Sequence, residues 1–144
     1  MADAPKPSAP PMITSNGRPL IIAVIGGGDP PPRAMELAEE VGRELAKRGV
    51  MVVCGGRSGV MEAVCRGSKA EGGTTIGILP GNEAGEANDY IDIPIPVIGL
   101  ETWELPHRAD LPMQVMHATS PVDAVERAIA AAHERDAREQ SRLH

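Results

Sequence analysis

Length, composition and charge exclude several classes of protein. The chain has 144 residues, 42% hydrophobic and 24% charged, which suits one globular domain. Its net charge of -6, with one Trp, one Tyr and no Phe, argues against partners that are nucleic acids or anionic membranes. No apolar run approaches the ~20 residues that span a bilayer, and the N-terminus lacks the layout of a secretory signal, so we expect a cytoplasmic protein.

The chain begins with a segment that has nothing to bury. Residues 1–17 carry several prolines among alanine and serine, which predicts a disordered or polyproline-like tail outside the fold. The domain itself is expected over residues 18–133. Residues 134–144 are mostly charged and are expected to form a fraying end of the last helix.

Three continuous apolar runs alternate with two helical patterns in the first part of the domain. The runs predict strands that are buried on both faces, namely Leu20–Ile25, Val50–Cys54 and Thr74–Leu79. Prolines before the helix Arg33–Arg48 and Gly49 after it are suitable boundary residues. Short links between these elements predict parallel βαβ units in an α/β, doubly wound, Rossmann-like fold with three layers.

Both helices carry apolar residues at helical spacing, and those of the second helix are expected to face inward. They are Met35, Ala38, Val41 and Leu45 in the first helix, and Val60, Met61 and Val64 in the second, which ends at Gly72. The two cysteines, Cys54 and Cys65, are predicted to be buried small hydrophobic residues, with a catalytic or redox thiol as the less favoured alternative. The four histidines show no metal-ligand spacing, so no metal site is predicted.

Ligands of such sheets bind at the carboxyl ends of the strands, where three loops are expected to converge. A strand, a glycine turn and a helix bring backbone N–H groups and the helix dipole to one point, which favours a bound phosphate. A tight turn without a ligand is the alternative, and Arg57 is either a phosphate ligand or a solvated loop residue. The predicted phosphate-binding residues are Gly26, Gly27, Gly28, Asp29, Gly55, Gly56, Arg57, Ser58, Gly59, Val60, Met61, Pro80 and Gly81.

The regular pattern is interrupted after Leu79. Ile91–Pro96 is extended but holds two prolines, so we expect an edge or a loop there, and Val97–Leu100 is predicted as a separate strand. No helical segment lies between Leu79 and Val97, although parallel neighbours normally need a crossover of a dozen or more residues. The sheet is therefore expected either to pair irregularly here or to lack one unit.

The end of the chain is regular again. Val115–His117 is a candidate strand. Ser120 and Asp123 form a capping box, with Pro121 at the first helical position. The apolar residues of the helix that begins there are expected to be buried, and they are Val122, Val125, Ala128, Ile129 and Ala132.

Three segments carry a family resemblance: VIGGGD, GRELAKRGVMVVCGGRSGVMEAVCRG and GTTIGILPGNEAGEANDYIDIPIP. They resemble the LOG-like proteins, a family once labelled lysine decarboxylases, and within it the branch of molybdenum cofactor carrier proteins. The resemblance covers Leu20 to Pro96 and resumes at Val97. Between these blocks the family has a strand, a PGGxGTxxE loop and a helix, so the resemblance implies a fold shortened by one strand–helix unit. The missing crossover falls at the same place.

The resemblance implies binding of a phosphate-bearing, nucleotide-like or molybdopterin-type ligand, with Asn88 added to the site. Because the catalytic Glu and Arg of the family have no counterpart here, catalysis is not expected and no catalytic residue is assigned. The alternatives are a phosphoribohydrolase acting on nucleoside 5′-monophosphates, or a shortened relative without a ligand. Glu62, on the second helix, is more readily explained as a helix-surface residue than as a catalytic one.

Two further expectations concern cofactors and assembly. Pyridoxal phosphate is not expected, because the lysines Lys6, Lys47 and Lys69 lie in the tail or near helix ends, away from the predicted cleft. Loss of a strand and a helix would expose apolar sheet edge, so a homo-oligomer of two or more copies is predicted.

Overall fold

The structure is a computed structural model that describes Ala4 and residues 6–80, 87–100 and 116–142. The chain divides into two compact units, Met1–Ile78 with Ala87–Pro94 and Leu79–Glu86 with Ile95–His144. The elements in chain order are β1 (Ile21–Ala23), α1 (Pro32–Lys47), β2 (Met51–Cys54), α2 (Val60–Ala70), β3 (Thr75–Pro80), β4 (Ile93–Leu100), β5 (Met116–Ala118) and α3 (Pro121–Arg142). Within the described ranges, none of the helices is both long and apolar enough to cross a membrane.

The first unit is built from two consecutive βαβ elements. Strands β1 and β2 pair in parallel with Ile22 opposite Val52, and β2 and β3 pair in parallel with Val53 opposite Ile76. Helix α1 connects the first two strands and α2 connects the second two. The predicted α/β, Rossmann-like class with parallel strands is therefore confirmed.

The helices of this unit begin and end where local sequence signals predict. Pro32 occupies the first turn of α1, where its missing N–H costs no hydrogen bond. After α1, Gly49 has a φ of 71°, and its N–H donates to Ala46 O while Val50 N–H donates to Leu45 O. This pair of bonds is a Schellman motif, which closes the helix on its own last carbonyls.

The two helices pack against each other through small residues. Helix α1 buries Ala38, Gly42 and Ala46 against α2, and a Cβ on Gly42 would overlap the carbonyl of Val64. Val41, which shares the helical spacing of Ala38 and Leu45, is 45% exposed. A close helix–helix approach selects the smallest side chains of α1 and rotates its larger ones outward.

Burial of β1 also differs from the prediction. The core of the unit contains Val52, Val64 and Cys65, all fully buried, but Ile21 and Ile22 of β1 are 46% and 39% exposed. Among the described residues, β1 is paired along one edge, with β2. A strand that is covered on both faces requires further elements beside it, so β1 behaves as an edge strand of this unit.

Part of the N-terminal segment lies against the first unit. Met12 N–H donates to Gly49 O at 2.9 Å, and Leu20 N–H donates to Met12 O at 2.9 Å. Lys6 forms an ion pair with Glu71, close to the end of α2. Residues on the N-terminal side of the proposed boundary at residue 17 therefore contact the predicted domain.

The second unit contains the parallel pair β4 and β5, with Gly99 opposite His117. Strand β4 continues through Pro96 and Val97 without interruption, where the sequence predicted an edge or loop followed by a separate strand. Both stretches are extended and no residue separates them, so they merge. Prolines are tolerated in a strand at positions where no neighbour needs their N–H.

Helix α3 begins at the predicted capping box. Asp123 N–H donates to Ser120 Oγ at 3.1 Å, and the Asp123 carboxylate in return accepts from Thr119 N–H at 2.9 Å. The expected burial of Val122, Val125 and Ile129 was wrong, because they are 67%, 58% and 53% exposed. Helix α3 contacts β5, and within the described residues nothing covers this apolar stripe.

Candidate functional site

The first two glycine loops touch each other at the N-terminus of α2. Val60 N–H donates to Gly27 O at 3.1 Å. A Cβ on Gly26 would lie 2.5 Å from the Cβ of Val60, and a Cβ on Gly59 would lie 2.6 Å from Gly28 O. Glycine at these positions is what allows the two loops to approach. We call the loops Gly26–Gly28 and Gly55–Gly59, with the first turn of α2, the glycine cradle.

The first turn of α2 has no side-chain cap from its N-cap residue. That residue is Gly59, which has a φ of 75° and makes no side-chain hydrogen bond to the helix. Val60 N–H is occupied by Gly27 O, whereas the geometry of a helix leaves Met61 N–H and Glu62 N–H without an intrahelical acceptor. Together with the helix dipole, these two donors form a site that suits an anion.

One side of the glycine cradle is not filled by any of the described residues. Among these residues, a Cβ on Gly27 would meet nothing within 4 Å, and one on Gly28 would meet only Ser58 Oγ at 3.9 Å. Gly27, Gly28, Asp29 and Ser58 are all exposed. The space that a side chain would fill is therefore available to a ligand that approaches the backbone.

The other side of the glycine cradle is held by Asn88. Asn88 N–H donates to Gly56 O at 2.8 Å, and Asn88 Nδ2 donates to Arg57 O at 2.9 Å. Asn88 Oδ1 in turn accepts from Tyr90 N–H at 3.0 Å. The structure thus joins Asn88 to the predicted loop, but its amide binds protein backbone. This clamp spans 31 residues of sequence, so no local signal could have revealed it.

The remaining predicted site residues have different surroundings. Gly55 and Met61 contact each other, since a Cβ on Gly55 would lie 2.8 Å from Met61 Sδ. Arg57 is half-buried. Pro80 is the last residue of β3, and Gly81 lies outside the described residues.

The acidic and basic side chains considered for catalysis are paired with other side chains. The Glu62 carboxylate lies 4.0 Å from Arg66 Nη1 on the surface of α2. Lys69 binds Asp92 at 2.9 Å in the last turn of α2, roughly 15 Å from the glycine cradle at 1.5 Å per helical residue. Over the described ranges, no three His, Cys, Asp or Glu side chains form a group that could hold a metal ion.

A pair of thiols lies directly beneath the glycine cradle. Cys54 Sγ and Cys65 Sγ are 3.5 Å apart, both thiols are free and both residues are buried. Cys54 Sγ also accepts from Gly56 N–H at 3.3 Å. The hydrogen bond from Cys65, aided by the one from Gly56 N–H, lowers the pKa of Cys54, whereas the neighbouring Cys54 sulfur and burial raise the pKa of Cys65. Sequence reasoning predicted their burial but not their contact.

Known proteins with a similar sequence and structure were found. An uncharacterized protein from Archaeoglobus fulgidus is 39% identical over 74 residues, which are 51% of this chain and 48% of that protein. The structure of a molybdenum cofactor binding protein from Rippkaea orientalis is 38% identical with a TM-score of 0.52, and the match covers 54% of this chain and 48% of that one. This chain thus spans about half the length of both relatives.

A longer match is to the structure of the molybdenum cofactor carrier protein MCP from Chlamydomonas reinhardtii. It is 32% identical, covers 83% of this chain and 73% of that chain, and has a TM-score of 0.53. The family model described as the SLOG cluster4 family matches residues 19–102, which is more than half of the chain and includes the whole glycine cradle. This chain therefore belongs to the SLOG cluster4 family.

Proposed function

We propose that the glycine cradle binds a phosphate-bearing ligand of the nucleotide or molybdopterin type. The observation that carries this proposal is the junction at Val60, where two glycine loops meet a helix N-terminus whose N-cap is a glycine, and where no described residue fills the space beside Gly27. Met61 N–H and Glu62 N–H would donate to the phosphate oxygens, and Gly27 and Gly28 would let the ligand reach the backbone.

The relatives narrow the choice of ligand. The Rippkaea protein is described as binding molybdenum cofactor and the Chlamydomonas protein as carrying it. A molybdopterin-type ligand carries a phosphate, so the same backbone donors would serve it or a nucleotide.

The cytoplasmic location expected from the sequence stays a prediction.

We also propose that the ligand is held without being hydrolysed. Glycosidic hydrolysis would require a carboxylate positioned at the reacting bond. Glu62 faces Arg66, and the described residues near the glycine cradle offer Asp29 as an exposed loop carboxylate. The alternative, a phosphoribohydrolase, predicts release of ribose 5-phosphate from AMP, and finding that product would replace the proposal with an enzyme.

The test compares two variants of one open position. Gly28→Asp places a negative charge in the glycine cradle, and Gly28→Asn places a neutral side chain of the same shape there. Both should fold, because within the described ranges a Cβ on Gly28 meets only Ser58 Oγ at 3.9 Å. Ligand at 100 times its Kd stabilises the wild-type chain by about 2.7 kcal/mol, which a thermal-shift titration detects.

We expect AMP, another nucleoside phosphate or a molybdopterin preparation to raise the Tm of the wild type. Gly28→Asn should retain part of that rise, and Gly28→Asp should lose it, because a carboxylate repels the phosphate. No rise with any of these probes, or equal rises in both variants, would contradict a phosphate site at the glycine cradle.

We propose further that the chain self-associates through the exposed side of β1. Ile21 and Ile22 are partly exposed on a strand whose described pairing uses one edge only. An unpaired edge beside apolar side chains offers hydrogen bonds and buried area to a second copy.

A further inference from the structure

We propose that Cys54 and Cys65 are a redox modification site that closes to a reversible disulfide within one chain. The two sulfurs are 3.5 Å apart, so bond formation at about 2.05 Å needs a small inward movement. The residues are eleven positions apart in sequence, with Cys54 at the end of β2 and Cys65 in the middle of α2. This inference does not depend on the identity of the ligand.

The surroundings distinguish the two thiols. Either sulfur of the pair can donate to the other, and Cys54 Sγ also accepts a hydrogen bond from Gly56 N–H, which stabilises a thiolate on Cys54. Cys65 is fully buried, and beside a Cys54 thiolate it keeps its proton. Cys54 is therefore the nucleophile, and Cys65 is the thiol that resolves the first product.

The reaction balances with a peroxide as the oxidant. The Cys54 thiolate attacks one peroxide oxygen, the O–O bond breaks, and the products are a sulfenic acid and hydroxide, which takes up a proton to form water. Cys65 sulfur then attacks the Cys54 sulfur, the S–O bond breaks, and the departing hydroxyl leaves as water with the Cys65 proton. Together the two thiols have lost two electrons. An external dithiol restores both thiols by thiol–disulfide exchange.

Closure would alter the glycine cradle as well. Gly56 N–H donates to Cys54 Sγ, and Gly56 O accepts from Asn88 N–H, so Gly56 links the thiol pair to the Asn88 clamp. A disulfide sulfur is a weaker acceptor than a thiolate, and it would be drawn toward α2. We expect faster amide hydrogen exchange at Gly55, Gly56 and Arg57 after oxidation.

The alternative is that burial protects the pair, as it does for ordinary core cysteines. The test oxidises the full chain with hydrogen peroxide, folded and in urea, quenches it, and counts alkylated thiols by mass spectrometry under denaturing conditions. We expect the folded chain to lose both alkylatable thiols and the mass of two hydrogens, without forming a dimer. This loss should be faster in the folded chain than in the unfolded chain. A dithiol should restore both sites. Slower loss in the folded chain than in urea, or two thiols that stay alkylatable, would overturn the proposal.

Two variants assign the roles. Cys65→Ser should stop at a sulfenic acid on Cys54, which dimedone traps, because the resolving thiol is missing. Cys54→Ser should give neither a disulfide nor a dimedone adduct. Dimedone labelling of Cys65 in Cys54→Ser would reverse the assignment of the two roles. If either variant fails to fold, the rates of thiol loss in the wild type still test whether the disulfide forms.

Discussion

Individual residues of the glycine cradle divide into those that shape the loops and those left open to a ligand. Gly26 and Gly59 are in close contact with the opposite loop, whereas a Cβ on Gly27 or Gly28 would meet no described atom closer than 3.9 Å. Asn88 belongs to the first group, since its amide is committed to Arg57 O. The distinction matters for mutagenesis, because substitutions in the first group change the loops before they affect a ligand.

The role of Asn88 is open to a direct test. Asn88→Ala removes the hydrogen bonds to Arg57 O and from Tyr90 N–H, and we expect a loss of about 1 kcal/mol of unfolding free energy because two partly buried backbone groups lose their partners. Urea unfolding measures the change. Asn16→Ala, in the exposed turn near the N-terminus, is the matched control and should have little effect. An Asn88→Ala protein with wild-type stability would indicate that the clamp is unimportant.

At the scale of elements, the contact between α1 and α2 determines how the first unit packs. Small residues allow the two helices to approach closely, and a Cβ on Gly67 would overlap the carbonyl of Glu39. The same contact carries a charged bridge, because Glu39 accepts from Arg43 on its own helix at 2.6 Å and from Arg66 on α2 at 2.9 Å. The close helix packing and the ion pairs of Glu39 therefore lie at the same contact between α1 and α2.

This bridge should make stability depend on pH. The hydrogen bonds from Arg66 and Arg43 lower the pKa of Glu39 below its ordinary value of 4.5. A carboxyl whose pKa is lower in the folded state stabilises the fold above 4.5, and this contribution is lost as the pH falls through the lowered pKa.

We therefore expect Glu39→Gln to be less stable than the wild type by about 1 kcal/mol at neutral pH, with the difference disappearing in acid. Denaturant titrations at several pH values measure it. Glu36→Gln is the control, because Glu36 is 69% exposed and pairs with Arg33 only across one helical turn. A difference between wild type and Glu39→Gln that persists in acid would show that charge is not the cause.

At the scale of the whole molecule, Pro96 is followed directly by Val97, where the LOG-like proteins that this chain resembles carry a PGGxGTxxE segment. The two stretches that would flank this segment are merged into the single strand β4. Apolar residues of β1 and α3 are exposed, whereas strands and amphipathic helices normally bury their apolar faces. This exposure is consistent with the loss of a strand–helix unit.

Self-association is the prediction that belongs to this scale. Sedimentation equilibrium at micromolar concentration should give a mass of at least two copies. Ile21→Lys should shift the protein toward monomer, because it places a charge on the exposed side of β1. Ala70→Lys adds the same charge at an exposed position at the end of α2 and should leave the mass unchanged. A monomeric wild type would contradict the prediction.

The sequence by itself determined the features that depend on neighbouring residues. The order of strands and helices, the Schellman end at Gly49, the capping box at Ser120 and the glycine turn before α2 all follow from local backbone preferences and apolar periodicity. For the same reason, most of the predicted cradle residues lie together, since each loop directly follows its strand.

Only the tertiary structure decided the features that join distant parts of the chain. The side of α1 that is buried depends on how closely α2 approaches, and the exposure of β1 depends on which strands lie beside it. The Asn88 clamp and the contact between Cys54 and Cys65 join residues 31 and 11 positions apart. Local propensity carries no information about such pairs, because their geometry is set by packing that forms only when the βαβ units assemble.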